Sequence, residues 1–242
     1  MKIALLVCGD VDKTFQHNSG SYPDMFVRLF AGTENNTDQQ VELVPFDVRL
    51  NNYPRDLTVF DGFLTTGSSL SVYENLTWLY ELKNFIRKLY KNGHKYFGVC
   101  FGHQLIAESL GGKVEKSSKG WMVGVNQTKI EKPQTWMTPE KSDCMVISCH
   151  QDQVVTLPPE SEVIGYSLGC PYSMIKVGDH FIGIQGHPEF TKDYALPLIE
   201  SRQDKIPIDT IEAAKLSFEI SPDNTLLRTW IINFFSESNI GV

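Results

Sequence analysis

Cys100 stands between two glycines, in "YFGVCFGHQLIAESLGG", at the point where an apolar run gives way to a helix-like one. A thiol so placed has a chemical use. A nucleophile on a sharp strand-to-helix turn adopts a sparsely populated backbone conformation, and small neighbours, here Gly98 and Gly102, relieve the crowding. At the start of the following helix, free N–H groups and the macrodipole favour thiolate over thiol. The N–H of Phe101 would be one donor to an oxyanion. The competing reading is a buried thiol beside a tight turn, and Gly-x-Cys-x-Gly by itself does not choose between the two.

A catalytic thiol needs a base, and the base needs a third group to fix its tautomer. The segment "FIGIQGHPEF" offers both: an apolar run, Phe181–Gln185, then Gly186 and His187-Pro188-Glu189. Proline biases the residue before it toward extended backbone. Residues i and i+2 of an extended chain point the same way, so the Glu189 carboxylate is directed toward the His187 ring. A plain surface turn would also contain glycine and proline; the presence of Cys100 tilts the reading toward chemistry. A third segment, "DGFLTTGSSLSVYEN", is again an apolar run followed by a small polar loop. Gly67 lets backbone approach a ligand closely, and its N–H, or that of Ser68, would complete an oxyanion hole with Phe101.

Elements able to position these groups are legible as hydrophobic patterns. Apolar, β-rich runs recur at Ile3–Cys8, Val41–Phe46, Phe60–Thr65, Tyr96–Val99, Met145–Cys149, Ser173–Val177 and Phe181–Gln185. Between the early runs, "SYPDMFVRLFAG" places Tyr22, Met25, Phe26, Leu29 and Phe30 on one helical face and closes at Gly32. "TWLYELKNFIRKLYKNG" does the same and stops at Gly93. Strands alternating with helices predict an α/β fold, an open, mostly parallel sheet with helices on both faces. From Gly112 to about Ser142 no helical period is visible, which predicts short antiparallel strands and loops. From Asp209 onward two helices are expected, with Leu227, Trp230, Ile231, Phe234 and Phe235 on an apolar face. No linker or repeat interrupts residues 1–242, so one domain is expected, with a core of about residues 1–200 and a helical tail over 205–242. In such sheets ligands sit at the carboxyl ends of the strands.

Composition narrows the function classes. A net charge of -7 argues against nucleic acid as the main ligand, leaving small molecules or proteins as partners. The run Ile3–Cys8 is shorter than a signal-peptide core or a membrane span and reads as a buried first strand, with no membrane association expected. Five cysteines without a C-x-x-C pair disfavour a disulfide framework and a zinc site, so a cytoplasmic protein is the default expectation. His17, His94, His103 and His180 have no metal-ligand spacing. Cys149 and His150, as strand neighbours, point to opposite faces and make a poor catalytic pair, whereas Cys8, Cys144 and Cys170 read as buried small hydrophobes. Lys113, Lys116 and Lys119 read as a solvated loop that would also attract an anionic substrate.

In order and spacing, "TTGSS", "GVCFGHQLIAESLGG", "SCHQDQV" and "GIQGHPEF" resemble the class I glutamine amidotransferases, over the chain from its first strand to about Glu200. The resemblance implies a Cys-His-Glu triad on a flavodoxin-like sheet and hydrolysis of a glutamine side-chain amide through a γ-glutamyl thioester. Carried over, it makes Cys100 the nucleophile, His187 the base and Glu189 its orienter. Gly67 and Phe101 fall at the oxyanion-hole positions, Gln104 at a substrate-contacting glutamine. His150, Gln151 and Asp152 fall where the family holds the substrate's α-amino and α-carboxylate groups. "SCHQDQVVTLPPESEVIGYS" and "IDTIEAAKLSFE" are similar to the stand-alone branch containing the plant γ-glutamyl peptidases. The chain has no G-x-x-x-x-G-K-[ST] P-loop, so ammonia made here would need a separate synthase partner. Three readings therefore stand: a hydrolase of γ-glutamyl amide bonds in a small molecule, an ammonia-donating glutaminase subunit, or a ligand-binding or redox-sensing module without turnover. The first two imply no metal and no organic cofactor.

Overall fold

Alternate residues of the first strand decide the architecture. In β1 (Lys2–Val7), Ile3, Leu5 and Val7 enter one apolar layer while Ala4 and Leu6 enter another, as in a strand covered on both faces. The computed structural model describes residues 1–31 and 40–237; the stop expected at Gly32 lies outside them. After β1 the chain runs through α1 (Lys13–Ser19), α2 (Tyr22–Ala31), β2 (Glu42–Asp47), β3 (Gly62–Thr65), α3 (Thr77–Lys91), β4 (Tyr96–Val99) and α4 (Phe101–Ser109). The middle contributes β5 (Lys113–Lys116), β6 (Met122–Ile130), β7 (Asp143–His150), β8 (Asp152–Thr156), β9 (Ser161–Ser167) and β10 (Cys170–Val177). β11 (Phe181–Ile184), α5 (Lys192–Glu200), α6 (Ile208–Ser217) and α7 (Asn224–Ser236) complete the chain.

Nine strands form one sheet in the order β2-β1-β3-β4-β11-β10-β9-β6-β7, and β5 pairs separately with β8. The contacts from β2 through β11 are parallel; those from β11 to β7 are antiparallel. This is the expected open α/β sheet, and its antiparallel insertion extends the same sheet rather than standing apart from it. Phe26 of α2 and Leu227, Trp230, Ile231 and Phe234 of α7 cover one face of the parallel half. Leu79, Leu82, Ile86 and Leu89 of α3 and Leu105 and Ile106 of α4 cover the other. A third layer joins Val123, Val125 and Ile147 of the antiparallel half to α5 and α6.

All seven apolar runs become strands, and the tail forms two helices. Four elements, α1, β8, β9 and α5, were not visible in the pattern, and two of them show why. α5 contains Pro197, a helix-breaking signal, yet Tyr194, Ala195, Leu198 and Ile199 are buried in the third layer and hold the helix. β9 reads as polar because only its central Ile164 and Gly165 and its last residue, Ser167, are buried.

What matters for function is register. Val99 of β4 lies beside Ile184 of β11, and Gly98 beside Thr65 of β3. The three strands therefore end abreast, and the segments that leave them begin at Cys100, Gln185 and Thr66, far apart in sequence and adjacent in space.

Candidate active site

Cys100 has φ 50° and ψ −94°, a conformation that costs a non-glycine residue about 1–3 kcal/mol. Both neighbours hold it there. Its N–H donates to the Ile184 carbonyl (2.8 Å), and its carbonyl accepts from the Gln104 N–H (3.1 Å). The two glycines are dictated by contact. A Cβ on Gly98 would lie 2.4 Å from the Gly102 carbonyl carbon, and one on Gly102 would lie 2.9 Å from Thr65 Cβ. The first turn of α4 thus rests directly on β4, and Cys100 occupies its N-cap.

His187 is fixed on four sides. Its N–H donates to the Ile147 carbonyl (2.7 Å), its Nδ1 donates to Glu189 Oε1 (2.8 Å), and its ring stacks on Phe190 at 3.8 Å and 7°. A Cβ on Gly67 would come within 3.0 Å of His187 Cε1, so only glycine allows this approach without displacement. The Glu189 side chain is wholly buried, and its Oε2 has no hydrogen-bond partner among the described residues. Burial by itself would lower the His187 pKa, but Cys100 and Glu189 outweigh it and hold the imidazolium well above the usual histidine value.

Both groups open into a cavity of about 550 Å³, also lined by Gln104, His150, Gln151 and Asp152. The N–H groups of Gly67 and Phe101 have no acceptor among the described residues. Gln104 Nε2 donates to the Asp152 carbonyl (2.8 Å) and to Gln185 Oε1 (3.3 Å), and Gln185 Nε2 lies 3.6 Å from Cys100 Sγ. The Asp152 carboxylate accepts from Ser71 Oγ (2.5 Å) and the Tyr73 hydroxyl (3.1 Å). Cys100, His187, Gln104, His150, Gln151 and Asp152 therefore share one cavity at one end of the sheet, with Gly67 and Glu189 against His187 and Phe101 next to Cys100. Gln185, Phe190, Ser71 and Tyr73 were not singled out, although the first three lie within four residues of a group that was and Tyr73 lies five from Ser68. The cavity can accept a small molecule with an amide carbonyl at Cys100 and a charged head group near Asp152.

The other cysteines behave differently. Burial pushes the thiols of Cys144 and Cys170 up to about 12 and that of Cys8 higher still, so they remain protonated and inert. Cys149 and His150 form no hydrogen bond with each other; the Cys149 sulfur instead accepts from Arg202. His103 is fully buried and lies outside the cavity lining, a packing position.

Two buried histidines make the fold acid-sensitive. Burial lowers His103 to about 4 and His150 to about 3, whereas in the unfolded chain both titrate near 6.5. Below pH 6.5 the unfolded state binds more protons, so stability falls as pH falls. Between pH 6.5 and 5 the two together are expected to cost on the order of 3 kcal/mol. Urea unfolding at the two pH values measures this, and an unchanged midpoint would contradict it.

Comparison with known proteins adds a separate line. Residues 24–197 match the family described as Glutamine amidotransferase class-I. The chain is 34% identical over 225 residues to γ-glutamyl peptidase 2 of Arabidopsis thaliana, covering 89% of this chain and 88% of that protein. It is 32% identical over 204 residues to γ-glutamyl peptidase 4 of the same plant, covering 81% and 79%. The crystal structure of a glutamine amidotransferase from Thermotoga maritima superimposes with a TM-score of 0.74 at 18% identity, covering 97% of this chain and 98% of that one, a likeness of fold.

Proposed function

The chain belongs to the class I glutamine amidotransferase family, and from that premise we propose that it hydrolyses the γ-glutamyl amide bond of a small molecule with Cys100 as nucleophile. The observation that carries the reading is a strained cysteine at a helix N-terminus sharing one cavity with a buried, hydrogen-bonded His187–Glu189 pair. Glu189 fixes the proton on Nδ1, leaving Nε2 to exchange a proton with the sulfur. The thiolate attacks the γ-carbonyl carbon, and the oxyanion that forms is met by the N–H groups of Gly67 and Phe101. The tetrahedral adduct collapses as His187 gives its proton to the departing amine, leaving a γ-glutamyl thioester. Water, deprotonated by His187, then attacks the thioester carbon; glutamate leaves and the thiol is restored. Gln104, His150, Gln151 and Asp152 hold the glutamyl head group, with the Asp152 carboxylate opposite its ammonium. The same first half-reaction would serve an ammonia-donating subunit, which requires glutamine itself as the substrate.

Trapping the acyl group tests the reading. Acid-quenched incubations with glutamine and with a γ-glutamyl dipeptide are expected to show the mass of one γ-glutamyl group on the peptide containing Cys100. Glutamate release with no adduct at that position, or an adduct on another cysteine, would remove Cys100 as nucleophile.

A further inference from the structure

One wall of the same cavity carries cations that no carboxylate neutralises. Arg202, in the turn 201–206 after α5, is half-buried; its guanidinium donates to Cys149 Sγ (3.2 Å) and lies 5.4 Å from the centre of the Trp121 ring. It forms no ion pair among the described residues, unlike Arg49, which is bound to both Asp10 and Asp47. Lys205, from the same turn, also lines the cavity and is likewise unpaired among the described residues. The turn is anchored by two hydrogen bonds to the Arg202 carbonyl, from Lys205 and Ile206 (both 2.8 Å), and by the buried Ile206 side chain. Asp152 is the only carboxylate among the lining residues, and it is already held by Ser71 and Tyr73. In a chain with a net charge of -7, cations gathered at one cavity run against the average.

Position says what they meet. The Cys149 sulfur that Arg202 touches lines the cavity together with Cys100 and His187, and it lies two residues along β7 from Ile147, whose carbonyl holds the His187 N–H, so the guanidinium stands about one side chain out from the reacting pair. That is where the part of the substrate beyond the scissile bond would extend. A guanidinium matches a carboxylate through two parallel N–H donors, and the contacts with Trp121 and Cys149 hold it at the cavity before the ligand arrives. Ammonia, the group that glutamine releases, offers nothing to such a fork.

We propose that Arg202, seconded by Lys205, binds a carboxylate on the leaving group and thereby sets which γ-glutamyl compounds the cavity prefers. This rests on the hydrolytic reading above, and the test separates the two. γ-Glutamylglycine and γ-glutamylglycinamide differ only in that carboxylate. The native protein is expected to favour the acid over the amide about 10- to 100-fold in kcat/KM, the worth of a charge-assisted hydrogen-bonded pair. Arg202→Met should bring the ratio close to one, and Arg202→Lys should restore part of it. A merely structural role would lower both rates and leave the ratio alone. Calorimetric binding of the same two compounds to Cys100→Ala, with and without Arg202→Met, reads the preference without turnover. If the native protein hydrolyses neither compound while Cys100→Ala still prefers the acid through Arg202, the hydrolytic reading fails and the carboxylate site stands. Equal handling of acid and amide, binding of neither, or a ratio unmoved by Arg202→Met would overturn the site.

Discussion

Cys100→Ala is expected to lower the turnover of γ-glutamyl substrates by about 10⁴- to 10⁶-fold, since removing the nucleophile of a catalytic triad leaves only the oxyanion donors and binding to act. The substitution keeps Cβ, so the backbone at φ 50° has no reason to move, and substrate binding should persist. Cys100→Gly separates chemistry from strain. It should be equally inactive, yet unfold later than Cys100→Ala by on the order of 1 kcal/mol, because glycine enters positive φ without the Cβ penalty. Steady-state glutamate release and thermal unfolding of the two variants make the comparison. Residual activity in Cys100→Ala within tenfold of the native chain would end the nucleophile assignment. Equal stability of the two variants would instead mean that the elbow stores no strain.

Glu189→Gln is expected to reduce kcat by about 10²- to 10⁴-fold while changing shape little. The carboxylate only accepts hydrogen bonds, so it fixes the proton on His187 Nδ1 at 2.8 Å. A glutamine amide can present N–H instead, favouring the opposite tautomer and aiming a proton at the sulfur. The charge matters as well. Burial lowers the His187 pKa, and with Cys100 it is Glu189 that raises it. In Glu189→Gln the ring should therefore lose its proton at a lower pH than in the native chain. Proton NMR of the His187 ring across a pH titration measures this directly. An unshifted titration with normal turnover would show that Glu189 neither holds nor orients the imidazole.

The two effects come from different parts of the chain. Within "GVCFG" the reason for Gly98 was already local, since a Cβ there would collide with Gly102 at 2.4 Å, whereas Gly102 is required by Thr65 of β3, which a Cβ would meet at 2.9 Å. "GHPE" likewise carried its own geometry, because a residue before proline is extended and alternate side chains then share a side. The buried runs were legible for the same reason, β1 through its unbroken apolar run and α3 and α7 through their helical period. α5 and β9 were not, because Pro197 and the polar rim of β9 contradict local preference and only packing against distant residues overrides it.

The sequence by itself determined the nucleophile candidate, its partner pair and the class of sheet that carries them, since each depends on neighbours within a few residues. Tertiary structure decided what those residues face. Parallel register sets β3, β4 and β11 side by side, bringing Gly67 against His187 and opening Cys100 into the cavity that Asp152 and Arg202 also line. The charge of that cavity is a sum over residues as far apart as Lys116 and Lys205. No window along the chain contains that sum, because strand pairing and helix docking, not sequence distance, determine which side chains share a wall.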